Sequence, residues 1–311
     1  MESHPLSDPA LAAGITRTAS QQTDYTIRLL VDGNLMDDAY RAYAYFRWVD
    51  DWLDAETRTR AERLEFVQRQ QVLMAGCFGG KPPAGLTPEE SLLADLIQRD
   101  PEKNSGLRVY IRNMMAVMAF DADRRGRLIS QRELNAYTRW LAVAVTEALH
   151  HFIGHDGFAP HGELRYRAVT GAHITHILRD ALEDAAVGYY NIPAELVTAN
   201  GIAPGDVESH AYREWVSGRV REARACFQLG RDYLAQVESL RCRIAGYAYV
   251  RRFEVVLDCI EREAGRLRCQ YPERKSAGHA VGMIGWALWM AFRYHQPTHL
   301  SSVRPAGQVH V

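Results

Sequence analysis

The sequence predicts an all-α fold, and three observations carry that prediction. Apolar residues recur at spacings of three and four, as in LRVYIRNMMAVMAF (107–120) and YVRRFEVVLDCIEREAGRL (249–267), which is the period of a helix with one buried face. Proline is confined to the ends and a few connections, with none in 102–159 or 205–271. Alternating β-branched runs bounded by turn residues, the mark of strands, are absent.

Helices are expected near 17–31, 35–56, 60–77, 89–99, 105–122, 131–153, 162–187, 206–239, 245–270 and 277–293. The loop GGKPPAGLTPEE (79–90) separates the third from the fourth. The first proline-free stretch holds the fifth and sixth, the latter opened by a capping box from Ser130 to Glu133. The second proline-free stretch holds the eighth and ninth, and the last helix ends before YHQPTHLSSVRPAG (294–307). No internal repeat or low-complexity linker divides the chain, so one domain over 16–295 is expected, with a flexible N-terminus (1–15) and a C-terminal tail (296–311).

Composition narrows the function classes. The 311 residues are 47% hydrophobic, enough for one large core or two small ones. A net charge of −1 gives no surface for a polyanion and argues against nucleic acid as a partner. Five cysteines with no CxxC pair suit reduced thiols and a cytoplasmic location. MESHPLSDPALAAG lacks the basic and apolar regions of a signal peptide. The apolar segment AGHAVGMIGWALWMAFRYH (277–295) is shorter than a membrane span. It reads first as a buried C-terminal helix, and second as an interfacial helix giving peripheral membrane contact through 277–293.

Three motifs are set aside. GCFGGKP (76–82) has Ala75 in place of the first P-loop glycine and Pro82 in place of the Mg²⁺-binding hydroxyl. DADRRGRLISQRE (121–133) has Asp121, Asp123 and Gly126 in phase with a calcium loop, but Arg125 stands at a ligand position and Glu133 falls one residue late. His150, His151 and His155 lack a clear third ligand surface or a glutamate base.

Chemistry concentrates in two acidic clusters. In YAYFRWVDDWLDAE (43–56), Tyr43, Arg47, Asp50 or Asp51, and Asp54 share one helical face, while Trp48, Val49 and Trp52 pack elsewhere. Taken alone, this stripe fits a metal, a cationic partner or a solvated edge. HITHILRDALEDAAVGYYNIP (173–193) repeats the spacing, with His173, His176 or Ile177, Asp180 and Asp184 along one face and Glu183 beside them. Two DxxxD faces opposed across a cavity would hold several Mg²⁺ ions with room for phosphate. That is the arrangement needed to remove diphosphate from an allylic carbon, with an apolar, aromatic cavity to shelter the cation left behind.

These two motifs resemble the aspartate-rich motifs of the squalene/phytoene synthase family, the head-to-head prenyl transferases. SQQTDYTIRLL (20–30), RLISQRELNAYTRWLAVAVTEAL (127–149) and YVRRFEVVLDCIERE (249–263) are similar to the family's other helices, so the resemblance spans most of the chain. It implies an isoprenoid-synthase bundle around one central cavity. It further implies Mg²⁺ held by Asp50 and Asp54 with Asp51 in support, and by Asp180 and Asp184 with Glu183 beside them. Tyr43 and Arg47 would meet the diphosphate, His173, His176 and Arg179 would contact substrate, and Tyr137 would stand in the cavity wall. The implied substrate is a prenyl diphosphate, farnesyl or geranylgeranyl. No dinucleotide fingerprint is present, which leaves NADPH use open.

The departures from the family pattern are specific. His176 stands where an asparagine is usual. Ala186, Val187, Tyr189 and Asn191 surround Gly188 where basic residues and a tyrosine are usual. Val143 and Thr146 replace glycines in LAVAVT (141–146), and Thr23 and Asp24 replace an aromatic pair. The leading expectation is head-to-head condensation of two prenyl diphosphates. The alternatives are a single-substrate class I terpene synthase or cyclase, favoured by the lost basic residues and filled glycines, and a non-catalytic lipid-binding or assembly protein.

Overall fold

The computed structural model describes residues 9–295 apart from Asp156 and Ser276. In chain order the helices are α1 (Pro9–Ala19), α2 (Gln21–Leu30), α3 (Met36–Asp54), α4 (Arg60–Phe78), α5 (Pro88–Arg99) and α6 (Gly106–Arg124). They continue as α7 (Gln131–Phe152), α8 (Arg167–Ala186), α9 (Ala194–Asn200), α10 (His210–Leu234), α11 (Leu240–Arg262) and α12 (Ala277–Arg293). No strand occurs among the described residues, and the helices form a single domain of the expected all-α class.

Side-chain caps set most of the helix starts. Capping boxes pair Thr59 with Glu62, Thr87 with Glu90 and, as the sequence predicts, Ser130 with Glu133. Ser20 caps α2 and breaks the expected first helix in two. The chain is already helical from Pro9, and α1 packs on α3, so residues 9–15 are not the flexible lead the sequence suggested. Ala12 and Thr16 are buried there, which explains the order. The expected helix over 162–187 opens with a short 3₁₀ turn (Glu163–Tyr166), and those over 206–239 and 245–270 are shorter than predicted. The seven-residue α9 carries too little periodicity to be read from sequence. Residues 1–8 and the tail 296–311 lie outside the described residues.

Apolar burial falls into two main cores. One gathers α1 to α7 with the start of α11 and part of α12, and the other gathers α8 to α11 around Phe227 and Val256. Close approach of α8 to α10 needs small residues, since a Cβ at Gly171 or Gly230 would press on Phe227 or Ala168 at 3.0 and 2.8 Å. Between α3, α6, α7 and α8 lies a central cavity.

On α3 the two tryptophans turn away from that cavity. Trp52 stacks on Phe66 of α4 with ring centroids 3.9 Å apart, and the Arg58 guanidinium covers its ring at 4.5 Å. Trp48 meets the same Phe66 edge-on at 5.4 Å. Aspartates can therefore sit beside tryptophans because the two residue types occupy opposite sides of one helix.

The buried-helix reading of the C-terminal segment requires correction. On α12, Ala287, Met290 and Ala291 are buried against the bundle. Val281, Ile284, Leu288, Trp289 and Phe292 instead face outward, Val281 at 73% exposure and Phe292 at 66%. Among the described residues no helix is long and apolar enough to cross a membrane.

Candidate active site

The cavity has a polar mouth and an apolar interior. Asp50 and Asp54 from α3, Asp121 and Arg124 from α6, and Asp180 and Asp184 from α8 line the mouth. Phe46, Tyr110, Met114, Val117, Met118 and Leu141 line the interior, a space of about 270 Å³. Tyr137, His173 and His176 belong to both.

Placement of these groups depends on how α6 and α8 end. Gly126 and Gly188, both in the left-handed region, close the turns after the two helices, and the Gly126 amide donates to the Gly188 carbonyl at 2.8 Å. A Cβ on Gly188 would come within 3.3 Å of that amide nitrogen. The join brings the last turn of α6 beside the last turn of α8.

Arg124 is the cation at the centre of the mouth. Its guanidinium donates to Asp121 at 2.5 Å and to Asn191 Oδ1 at 2.7 Å, and it lies 4.8 Å from the rings of both Tyr137 and Tyr189. Asn191 in turn donates to Asp184 at 2.8 Å, Tyr137 donates to Asp121 at 3.1 Å, and Tyr189 donates to Asp54 at 3.3 Å. Burial opposes the charge on Arg124, but Asp121 and its other neighbours outweigh burial and raise its pKa.

The aspartates differ in the direction of their pKa shifts. Burial, then the nearby Asp54 charge, pushes Asp50 up to about 7. Burial, then Asp180, pushes Asp184 up to about 7. Burial and Asp121 also raise Asp54. Asp180 goes the other way: burial works to raise it, but hydrogen bonds from Arg179 and His176 prevail and hold it well below the usual carboxylate range. The His176 Nε2 to Asp180 Oδ2 distance is 2.7 Å.

The structure thus brings Asp50, Asp54, Asp180, Asp184, Tyr137, His173 and His176 to one cavity. Tyr43 and Arg47 line its apolar side. Arg47 donates to Asp51 at 3.0 Å and to Asp50 at 3.2 Å. Asp51 and Glu183 are exposed: Asp51 sits on the outer rim with Arg47, and Glu183 on an outer shelf with Arg179 and Cys269.

Asp121, Arg124, Tyr189 and Asn191 are the mouth residues that sequence reasoning passed over. Asp121 was visible only inside the rejected calcium loop, and Tyr189 and Asn191 only as departures near Gly188. Paired Gly126 and Gly188 at helix ends were the available signal. Arg124 at the end of α6 and Arg125 just after it lie beside the Gly188 turn, Arg125 donating to the Val187 carbonyl at 2.9 Å.

Hard, oxygen-ligated cations suit this donor set, because several carboxylates crowd together and repel one another. Among the described residues no three His, Cys, Asp or Glu side chains converge on one point.

The helical bundle, strand-free among the described residues, encloses a cavity with aspartates on opposite walls. The chain belongs to the squalene/phytoene synthase family, whose sequence model matches residues 17–275. It is similar to the presqualene diphosphate synthase of Rhodopseudomonas palustris, at 26% identity over 66% of this chain and 69% of that protein. A bifunctional lycopene cyclase/phytoene synthase of Aspergillus oryzae is 25% identical over 61% of this chain and 36% of its own length. Two solved structures share the fold. Squalene synthase HpnC from Alicyclobacillus acidocaldarius has a TM-score of 0.63 at 19% identity, covering 84% of this chain and 95% of that one. A dehydrosqualene synthase in complex with ligand has a TM-score of 0.66 at 16% identity, covering 90% and 94%. The family is one of prenyltransferases, and the chain is an enzyme of that class.

Proposed function

We propose that this chain carries out Mg²⁺-dependent ionisation of a prenyl diphosphate, farnesyl or geranylgeranyl, followed by head-to-head condensation with a second one. The observation that carries the reading is the junction of a carboxylate-lined mouth with an apolar, aromatic cavity. Asp50 and Asp54 would hold metal from one wall and Asp180 and Asp184 from the other, with Asp51 and Glu183 at the rim. Bound Mg²⁺ supplies charge neutralisation for the departing diphosphate. Arg47 and Tyr43 orient the diphosphate at the cavity edge, with Arg179 and His176 on the opposite side. Tyr137, Phe46 and Tyr110 present ring faces and edges to the cation and exclude water from it.

One observation favours the single-substrate alternative. The apolar interior of about 270 Å³ lies just below the ~300–1,000 Å³ of ordinary ligand pockets, a volume that suits one prenyl chain better than two. Incubation with farnesyl and geranylgeranyl diphosphate and Mg²⁺, followed by product mass, tests the reading. A product of two prenyl chains supports condensation. One of a single chain supports a terpene synthase instead, and no product with Mg²⁺ or Mn²⁺ overturns both. The outward apolar face of α12 supports peripheral contact of a cytoplasmic enzyme with the membrane that holds such substrates. Co-sedimentation with lipid vesicles, lost in Val281→Ser/Phe292→Ser, checks it.

A further inference from the structure

His173 differs from the other histidines near the core. It is buried at 5% exposure, and neither ring nitrogen has a hydrogen-bond partner. His150, by contrast, meets the Tyr233 hydroxyl at 2.9 Å and the Cys242 sulfur at 3.6 Å. An imidazole buried with both nitrogens free forgoes the hydrogen bonds that normally offset desolvation. Here that ring lines the cavity, edge-on to Tyr137 with centroids 5.0 Å apart.

Position fixes what it can reach. His173 precedes Asp180 by two turns of α8, about 10 Å of helix. It is therefore set apart from the α8 carboxylates along the helix, and it borders both the carboxylate side and the apolar side of the cavity. Burial, with His176, Arg124 and Arg219 nearby, keeps the ring neutral. A neutral imidazole has a lone pair on one nitrogen.

We infer that His173 is the proton acceptor that ends the carbocation sequence in this cavity. The inference rests on the proposed ionisation. The allylic C–O bond breaks with its electron pair leaving on the diphosphate. The π pair of a double bond, from a second chain or the same one, then forms a new C–C bond and moves the positive charge along. A C–H bond next to the new cationic carbon breaks, its electron pair closes a ring or a double bond, and the proton goes to the unprotonated ring nitrogen of His173. Carbocations of this kind are strong acids, so a weak base suffices. The imidazolium formed is unstable in a buried site close to Arg124 and Arg219, and it returns its proton to the departed diphosphate. No oxidant or reductant is needed.

The test compares the parent with His173→Gln and His173→Leu, using Mg²⁺ and farnesyl or geranylgeranyl diphosphate, with released diphosphate and product identity both measured. The ratio of parental product to diphosphate released is expected to fall about tenfold or more. Alcohols from water capture or isomers from proton loss at other carbons should replace the missing product. Thermal melting by circular dichroism confirms that each variant is folded. An unchanged ratio and unchanged product isomer in both folded variants would overturn the assignment while leaving the ionisation reading intact. A parent that releases no diphosphate would overturn both.

Discussion

The helices α3 and α8 carry the same DxxxD spacing and become different electrostatic objects. On α3, Asp50 faces Asp54 and Asp121 at a half-buried position, and Arg47 divides itself between Asp50 and the exposed Asp51. On α8, Asp180 is gripped by Arg179 and His176, whereas Asp184 one turn later relies on Asn191 and the more distant Arg124. One helix thus presents two carboxylates whose pKa values are both raised, and the other presents one lowered and one raised. Spacing chooses the face, and the neighbours choose the charge.

The comparison can be broken most severely at Asp180. Asp180→Asn removes the ionised member of the α8 pair and is expected to slow ionisation of prenyl diphosphate about 10³-fold, with helicity by circular dichroism unchanged. Turnover at the parental rate would remove Asp180 from the site. Arg124→Met comes next. It strips the buried cation from Asp121 and Asn191 at once and should destabilise the fold by ~3 kcal/mol, as breaking a buried pair does. Urea denaturation measures this, and a change within about 0.5 kcal/mol would mean the network is not under electrostatic load.

A third variant separates the two helices by function. Arg47→Lys loses the planar fork on the α3 side at a half-exposed position, so stability should shift by less than about 1 kcal/mol. Turnover should fall about ten- to a hundredfold, the value of one charge-assisted hydrogen bond. A large loss in melting temperature with an unchanged rate would make Arg47 a structural partner of Asp50 and Asp51.

The smallest expected effect is in pH dependence. Asp50 and Asp184 keep their protons in the fold up to about 7, while unfolded aspartate loses its proton near pH ~4. Between those values the folded state binds more protons, so their contribution to the metal-free protein is lost as pH rises through about 7. Asp180 has the opposite sign: its contribution is present above pH ~4 and disappears on acidification towards its lowered pKa. Asp50→Asn should flatten the decline towards pH 7 in chelator-treated protein. A parental profile in that variant would show that Asp50 is ionised throughout.

The legible and illegible parts of the site follow from this difference. Both DxxxD faces were readable because helical spacing alone puts Asp50 with Asp54 and Asp180 with Asp184. His173 and His176 were readable on the same stripe. Asp121 and Arg124 were not, because their position depends on where α6 ends against the turn after α8, a tertiary fact. The break at Ser20 and the exposure of α12 escaped for similar reasons. Apolar periodicity predicts a helix, and which side it covers is decided by what packs there.

The Trp52 stack has a mechanical consequence. Held between Phe66 and the Arg58 guanidinium, this ring acts as a key against rotation of α3 about its own axis. A helix turns its side chains by about 100° per residue, so even a small axial roll would swing Asp50 and Asp54 off the cavity. The sandwich supplies the restoring torque on one side of the shaft while the carboxylates are aimed on the other. The direction in which Asp50 and Asp54 point is therefore braced by residues on the far side of α3.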